Sequence, residues 1–98
     1  MSYLDADAEL IRSCLPAGAG VPEDSDDLFI LYAVLVRAKG ENTQAADVHD
    51  AWSAWMSRRL PDHGSVRPYD ELPSAVQAED TPFLIAIRSA ARIRAARS

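Results

Sequence analysis

The segment from Asp47 to Leu72 concentrates the side chains that could recognise a ligand. It holds both tryptophans, both histidines and one of the three tyrosines of this 98-residue chain. Tryptophan and tyrosine rings stack on planar groups, and imidazole changes its charge near neutral pH, so the combination is typical of a binding surface. Our candidate ligand-binding residues are His49, Trp52, Trp55, Arg58, His63, Arg67, Tyr69 and Asp70.

The charged candidates define the ligand that we expect. The guanidinium of Arg58 or Arg67 would pair with a phosphate or carboxylate, while the aromatic rings stack on a planar group. His63 lies beside a glycine in a loop, where functional residues are common. His49 lies on a helix and is more typical of a structural histidine.

The two tryptophans have a structural interpretation as well as a functional one. Val48, Trp52, Trp55 and Met56 lie on one stripe of a predicted helix, a spacing that is typical of a core. We expect Trp52 to be the more buried ring, and Trp55 to reach the surface because large amphipathic rings often do.

The motifs that would indicate catalysis are missing from the sequence. Two histidines and one cysteine without clustered spacing match no zinc pattern, and there is no glycine-rich phosphate loop. Cys14 closes an amphipathic helix, where a small buried thiol is the ordinary interpretation. We therefore predict a protein without catalytic residues, metal site or cofactor.

Hydrophobic periodicity predicts an all-α fold of four principal helices and a short helical turn. The helices are expected near residues 2–15, 26–39, 43–60 and from 81 onward, and the turn near 73–79. Ser2, with Asp5 three residues later, is a predicted cap of the first helix. Asn42 or Thr43 is expected to cap the third. Residues 28–36 are apolar on every side, which indicates the central helix.

Composition indicates one small domain over residues 1–98, in a reducing compartment. A lone cysteine forms no internal disulfide, and no signal peptide or membrane-spanning run is apparent, so we expect a cytoplasmic protein without a membrane partner. The net charge is −5, yet residues 88–98 carry four arginines and no acid. The acidic body makes nucleic acid an unlikely partner.

The order H-x-x-W, then H-x-x-x-x-P-Y-D-E-L-P, resembles the ryanodine-receptor repeat domain over about residues 47–88. That family has a longer stretch between its tryptophan helix and its histidine loop. The chain is also similar to small proteins of actinobacteria and their phages. The positions that match the repeat are His49, Trp52, His63, Pro68, Tyr69, Asp70, Glu71, Leu72 and, more loosely, Asp80.

The resemblance implies a binding module without catalysis, which holds a nucleotide-like or other small anionic, planar ligand in an aromatic cleft. A second hypothesis is a protein-interaction module, either a phage factor acting on a host protein or a homodimer. Its contact face would combine Trp55, Met56 and the apolar side of the last helix. A DNA-binding regulator acting through residues 88–98 is a third and weaker hypothesis.

Overall fold

A computed structural model describes residues 2–97 as an all-α fold, as the sequence predicted. Four principal helices pack together, and a single-turn helix lies between the third and the last of them. The helices are α1 (Tyr3–Ser13), α2 (Asp26–Ala38), α3 (Ala45–Ser57), α4 (Ser74–Gln77) and α5 (Thr81–Arg97). Short 3-10 segments occupy Gly40–Asn42, Tyr69–Glu71 and Ala78–Asp80.

The predicted start of α1 is confirmed. The Ser2 backbone N–H donates to Asp5 Oδ2 at 2.7 Å, and the Asp5 N–H donates to Ser2 Oγ at 3.2 Å. This reciprocal pair is a capping box, which satisfies backbone donors that the first helical turn leaves open. The hydrogen bonds from Ser2 favour the charged carboxylate and hold the pKa of Asp5 below its usual value.

The predicted cap of α3 is wrong by one or two positions. Gln44 precedes the helix, and its backbone N–H donates to Asp47 Oδ2 at 2.8 Å. Thr43 is buried, and its hydroxyl donates to the Gly40 carbonyl at 2.7 Å. A hydroxyl that closes the preceding 3-10 segment leaves the capping position to the next residue. The helix also ends at Ser57, before the expected limit at Leu60.

α2 is the central helix, as its apolar sequence predicted, and it contacts α1, α3 and α5. Phe29 and Tyr32 are fully buried and pack edge to face, with 5.4 Å between ring centroids. Ala86, Ala90 and Ala91 of α5 are buried too, and small side chains allow helices to approach closely. One side of α2 is open, because Val34 is 45% exposed.

A buried carboxylate links three helices. Asp7 of α1 accepts a hydrogen bond from Arg37 Nε of α2 at 2.6 Å and lies 3.4 Å from Arg94 Nε of α5. Arg88 Nε donates to the Thr43 carbonyl at 2.9 Å, and Arg92 lies 3.6 Å from Glu41. Three of the four C-terminal arginines are therefore used within the fold.

No helix within residues 2–97 is long and apolar enough to cross a membrane.

Candidate functional site

A cleft of about 490 Å³ opens between α2, α3, the start of α5 and the connector that joins α1 to α2. Its volume lies within the range of about 300–1,000 Å³ that small-molecule sites occupy. Its aromatic and imidazole lining residues are Tyr32, His49, Trp52, His63 and Phe83. The remaining walls are Gly18, Ala19, Gly20, Pro22, Leu28, Ser65, Val76, Glu79, Asp80 and Pro82.

Three of the eight sequence-predicted residues meet in this cleft. Trp52 lies between the two histidines: its ring stacks on His49 at 5.5 Å between centroids and meets His63 edge-on at 5.2 Å. The local helical spacing places His49 one turn before Trp52. The loop after α3 folds back to bring His63 to the same ring. The two histidines therefore line the same cleft. Their separation in sequence could not decide whether they would meet.

The other predicted residues lie outside the lining of the cleft. Trp55 is buried in the core at 7% exposure, and Arg58 is exposed at the end of α3. Arg67 turns its Nε to the Gly64 carbonyl at 3.0 Å. Tyr69 packs against His49, with 6.1 Å between ring centroids, but does not line the cleft. Asp70 is exposed.

The burial of the two tryptophans is the reverse of the sequence expectation. Trp55 belongs to the buried cluster and carries the Arg59 guanidinium over its ring at 4.2 Å. Its Nε1 is the one buried side-chain polar atom without a hydrogen-bond partner in the described part of the chain. Trp52 is only half-buried and lines the cleft. Both lie on the same stripe of α3, so the rotation of the helix against α2 and the loop decides which ring is covered.

His49 holds the inner wall of the cleft together. It is 2% exposed, and its Nε2 lies 2.7 Å from the Arg67 carbonyl, which can only accept, so this nitrogen carries a proton. The Ser53 hydroxyl lies 3.2 Å from the same nitrogen. The other nitrogen, Nδ1, faces Asp80 Oδ2 at 3.7 Å. The ring therefore joins α3 to the loop and to the 3-10 segment that precedes α5.

His63 has the opposite proton arrangement. The Ser65 backbone N–H donates to its Nδ1 at 3.1 Å, which requires a lone pair on that nitrogen. The proton of the neutral ring then lies on Nε2. Since His63 is exposed at the mouth of the cleft, this nitrogen is a donor available to a ligand.

Asp80 lines the cleft but was not among the eight candidate residues selected from the sequence. Burial raises the pKa of its carboxyl to about 6 from the ordinary 3.8; the nearby His49 lowers it in part, and Glu79 adds to the rise. Burial of the Tyr32 hydroxyl raises the pKa of Tyr32, and the negative charge of Asp80 adds to that rise. The acidic position before the last helix, within the resembling segment, was the one sequence signal that pointed to Asp80.

The remaining missed residues had weak signals or none. Tyr32 is hidden within the apolar run of α2, where the pattern indicates core only. Phe83 belongs to the apolar face of α5. Gly18, Ala19, Gly20 and Pro22 of the connector form an outer wall, whereas their glycine and proline content predicts no more than a turn.

Replacing Asp80 by asparagine is expected to change how stability depends on pH. Because the folded state raises the Asp80 pKa, the wild type should lose stability relative to Asp80→Asn as pH rises from about 4 to about 6. A rise in pKa from 3.8 to about 6 corresponds to roughly 3 kcal/mol. Urea unfolding at several pH values measures it, and a difference between the two proteins that does not change with pH would contradict it.

No group of three or more His, Cys, Asp or Glu side chains in residues 2–97 is arranged to hold a metal ion. Cys14 is a half-buried free thiol.

Comparison with protein-family models gives the class of protein to which this fold belongs. The model described as "Domain of unknown function (DUF7701)" matches residues 2–92, so the chain belongs to that family. No curated protein and no solved structure matches it.

Proposed function

We propose that this protein is a binding module without catalysis, which holds a small planar ligand in the cleft beside Trp52. The observation that carries the proposal is the convergence of Trp52, both histidines and Tyr32 on one cavity of about 490 Å³. Concave, largely aromatic sites with a few polar groups are typical of ligand pockets.

The contacts of the lining residues support a preformed site. His49 is held by the Arg67 carbonyl, and the 3-10 segment that follows Arg67 is held by Gln77, whose Nε2 donates to the Tyr69 carbonyl at 2.9 Å. Arg59 donates to the Asp24 carbonyl and so ties the end of α3 to the connector. A site whose walls are already fixed loses less conformational entropy when a ligand binds.

A thermal-shift screen tests this function. The panel would include nucleotides, nucleosides, free nucleobases and aromatic amines and amidines. A ligand at a hundred to a thousand times its Kd should stabilise the fold by about 2–4 kcal/mol. The ligand-induced shift should disappear in His63→Ala, because this side chain lines the cleft. The variant should still fold, because His63 is exposed and its removal leaves the core intact.

Arg58→Ala is the matched control, since Arg58 is exposed and lies outside the cleft lining. It should keep the ligand-induced shift. A stabilisation that survives in His63→Ala would move the ligand to another surface, and a panel without any shift would favour the protein-interaction hypothesis.

The protein-interaction hypothesis has less support in its original form. The predicted face needed the Trp55 ring, which is buried. The exposed large apolar side chains are distributed over several elements and comprise Tyr3, Val21, Val34, Leu60 and Ile85. Light scattering would show a homodimer if some of these residues form a shared face. A role for the C-terminal arginines in binding DNA is weakened by the partners that Arg88, Arg92 and Arg94 have within the fold.

A further inference from the structure

The charge of the cleft lining differs from the charge that the sequence predicted. The lining contains two carboxylates, Glu79 and Asp80, and within the described residues no lysine or arginine. Arg67, the nearest predicted anion-binding residue along the loop, donates instead to the Gly64 carbonyl. An anionic ligand would therefore meet two carboxylates and no guanidinium, which disfavours it.

The two histidines do not reverse this charge. The Ser65 N–H donates to His63 Nδ1, so this nitrogen presents a lone pair and no proton in the structure. Any positive charge on His49 lies next to Asp80, with 3.7 Å between Nδ1 and Oδ2, and is largely balanced by that carboxylate. Glu79 is exposed and has no cationic partner among residues 2–97.

The aromatic rings of the cleft also favour a cation. The faces of tyrosine, tryptophan and phenylalanine carry negative electrostatic potential and attract positive groups within about 6 Å. Elsewhere in the described structure, arginines cover the rings of Tyr3, Phe29 and Trp55. The rings of Tyr32, Trp52 and Phe83, which line the cleft, carry no such arginine. Tyr32 is fully buried, whereas Trp52 and Phe83 are half-buried, so the parts of these two rings that line the cleft can meet a cation that a ligand brings.

We propose that the cleft selects a planar organic cation, of the class of protonated amidines and nitrogen heterocycles, with Asp80 as its counter-ion and the rings of Trp52 and Phe83 beside it. This inference rests on the proposed binding function and names its ligand class. The N–H groups of such a ligand suit the carboxylate oxygens of Asp80 and Glu79, which only accept hydrogen bonds when ionised.

Three probes of one shape and different charge test the proposal. Benzamidine is cationic, benzamide neutral and benzoate anionic, and each is a benzene ring with one planar substituent. Binding would be followed by NMR through the indole N–H signals of the two tryptophans, at a pH above the Asp80 pKa of about 6. The Trp52 signal should shift on binding, while Trp55, which is buried in the core, reports on the fold.

We expect benzamidine to shift the Trp52 signal with a Kd about tenfold lower than that of benzamide, and benzoate to bind most weakly. Asp80→Asn should remove most of the preference for benzamidine over benzamide. Asp50→Asn, the same change at an exposed position of α3 outside the cleft, should leave the preference intact. If Asp80→Asn does not fold, as the Trp55 signal would show, Glu79→Gln should lower the preference in the same direction.

The results separate the ligand class from the binding function. If benzamide or benzoate binds as tightly as benzamidine, the cation proposal is wrong and the cleft remains a binding site. A preference that persists unchanged in the carboxylate variants would also overturn it. If no probe shifts Trp52 while the thermal-shift panel yields an anionic ligand lost in His63→Ala, the proposed function stands without the cation. If neither experiment yields a ligand, both proposals fail.

Discussion

Trp55→Ala is expected to lower the free energy of unfolding by about 3–5 kcal/mol, and Trp52→Ala by only about 1–2 kcal/mol. The two rings lie one helical turn apart on α3, yet Trp55 is 7% exposed within the core while Trp52 is half-buried at the cleft. Truncating the core ring leaves a cavity, whereas truncating the cleft ring enlarges a space that already opens to water. Chemical denaturation of both variants measures the difference.

The effect on ligand binding should come from Trp52, the ring whose truncation costs less stability. Trp52→Ala should remain folded and lose binding, because its ring forms the wall between His49 and His63. Equal destabilisation by the two substitutions would contradict the assignment of Trp55 to the core and Trp52 to the site. Trp55→Phe is the informative control: it keeps most of the buried ring and removes Nε1, a buried donor without a partner, so it should cost less than half as much as Trp55→Ala.

His49→Ala is expected to cost about 3 kcal/mol of unfolding free energy. The substitution leaves the Arg67 carbonyl without its hydrogen-bond donor. It also leaves the half-buried Asp80 carboxylate without the imidazole that faces it. Because His49 lowers the Asp80 pKa, that pKa should rise above about 6 in the variant. Denaturation measures the first effect, and NMR titration of the carboxyl measures the second.

Two further variants show where the effect of His49 originates. Ser53→Ala removes the hydroxyl that lies 3.2 Å from the same nitrogen and should cost no more than about 1 kcal/mol. In a double-mutant cycle, His49→Ala and Asp80→Asn should be non-additive, since each removes one side of the same contact. Additive effects, or an unchanged Asp80 pKa in His49→Ala, would mean that the two groups do not interact.

The parts of the fold that sequence predicts well are those determined locally. The capping box of Ser2 and Asp5 depends on residues three apart, and the apolar run of α2 needs no partner to indicate a central position. The cap of α3 failed because Thr43 closes the preceding 3-10 segment. A propensity for capping cannot distinguish two adjacent turns that compete for the same hydroxyl.

The site was predictable only in part because it is assembled from distant segments. His49, Trp52 and His63 came from one aromatic-rich stretch, and they do meet. Arg67 was selected for its charge, but its guanidinium donates to the Gly64 carbonyl and does not line the cleft. Tyr32 and Asp80 reach the same cleft from α2 and from the 3-10 segment before α5, and no spacing along the chain reveals that meeting.

The connector between α1 and α2 is the part of the cleft where substitutions should disturb the core least. Its residues from Gly18 to Pro22 form a wall of the cleft but contribute nothing to the buried hydrophobic cluster. A Cβ atom added at Gly20 would meet no neighbouring atom within 4 Å, so an alanine fits there without displacing the core. Under the proposed binding function, substitutions in the connector would change this wall of the cleft, while α3 and the 3-10 segment before α5, which provide Trp52 and Asp80, would stay as they are.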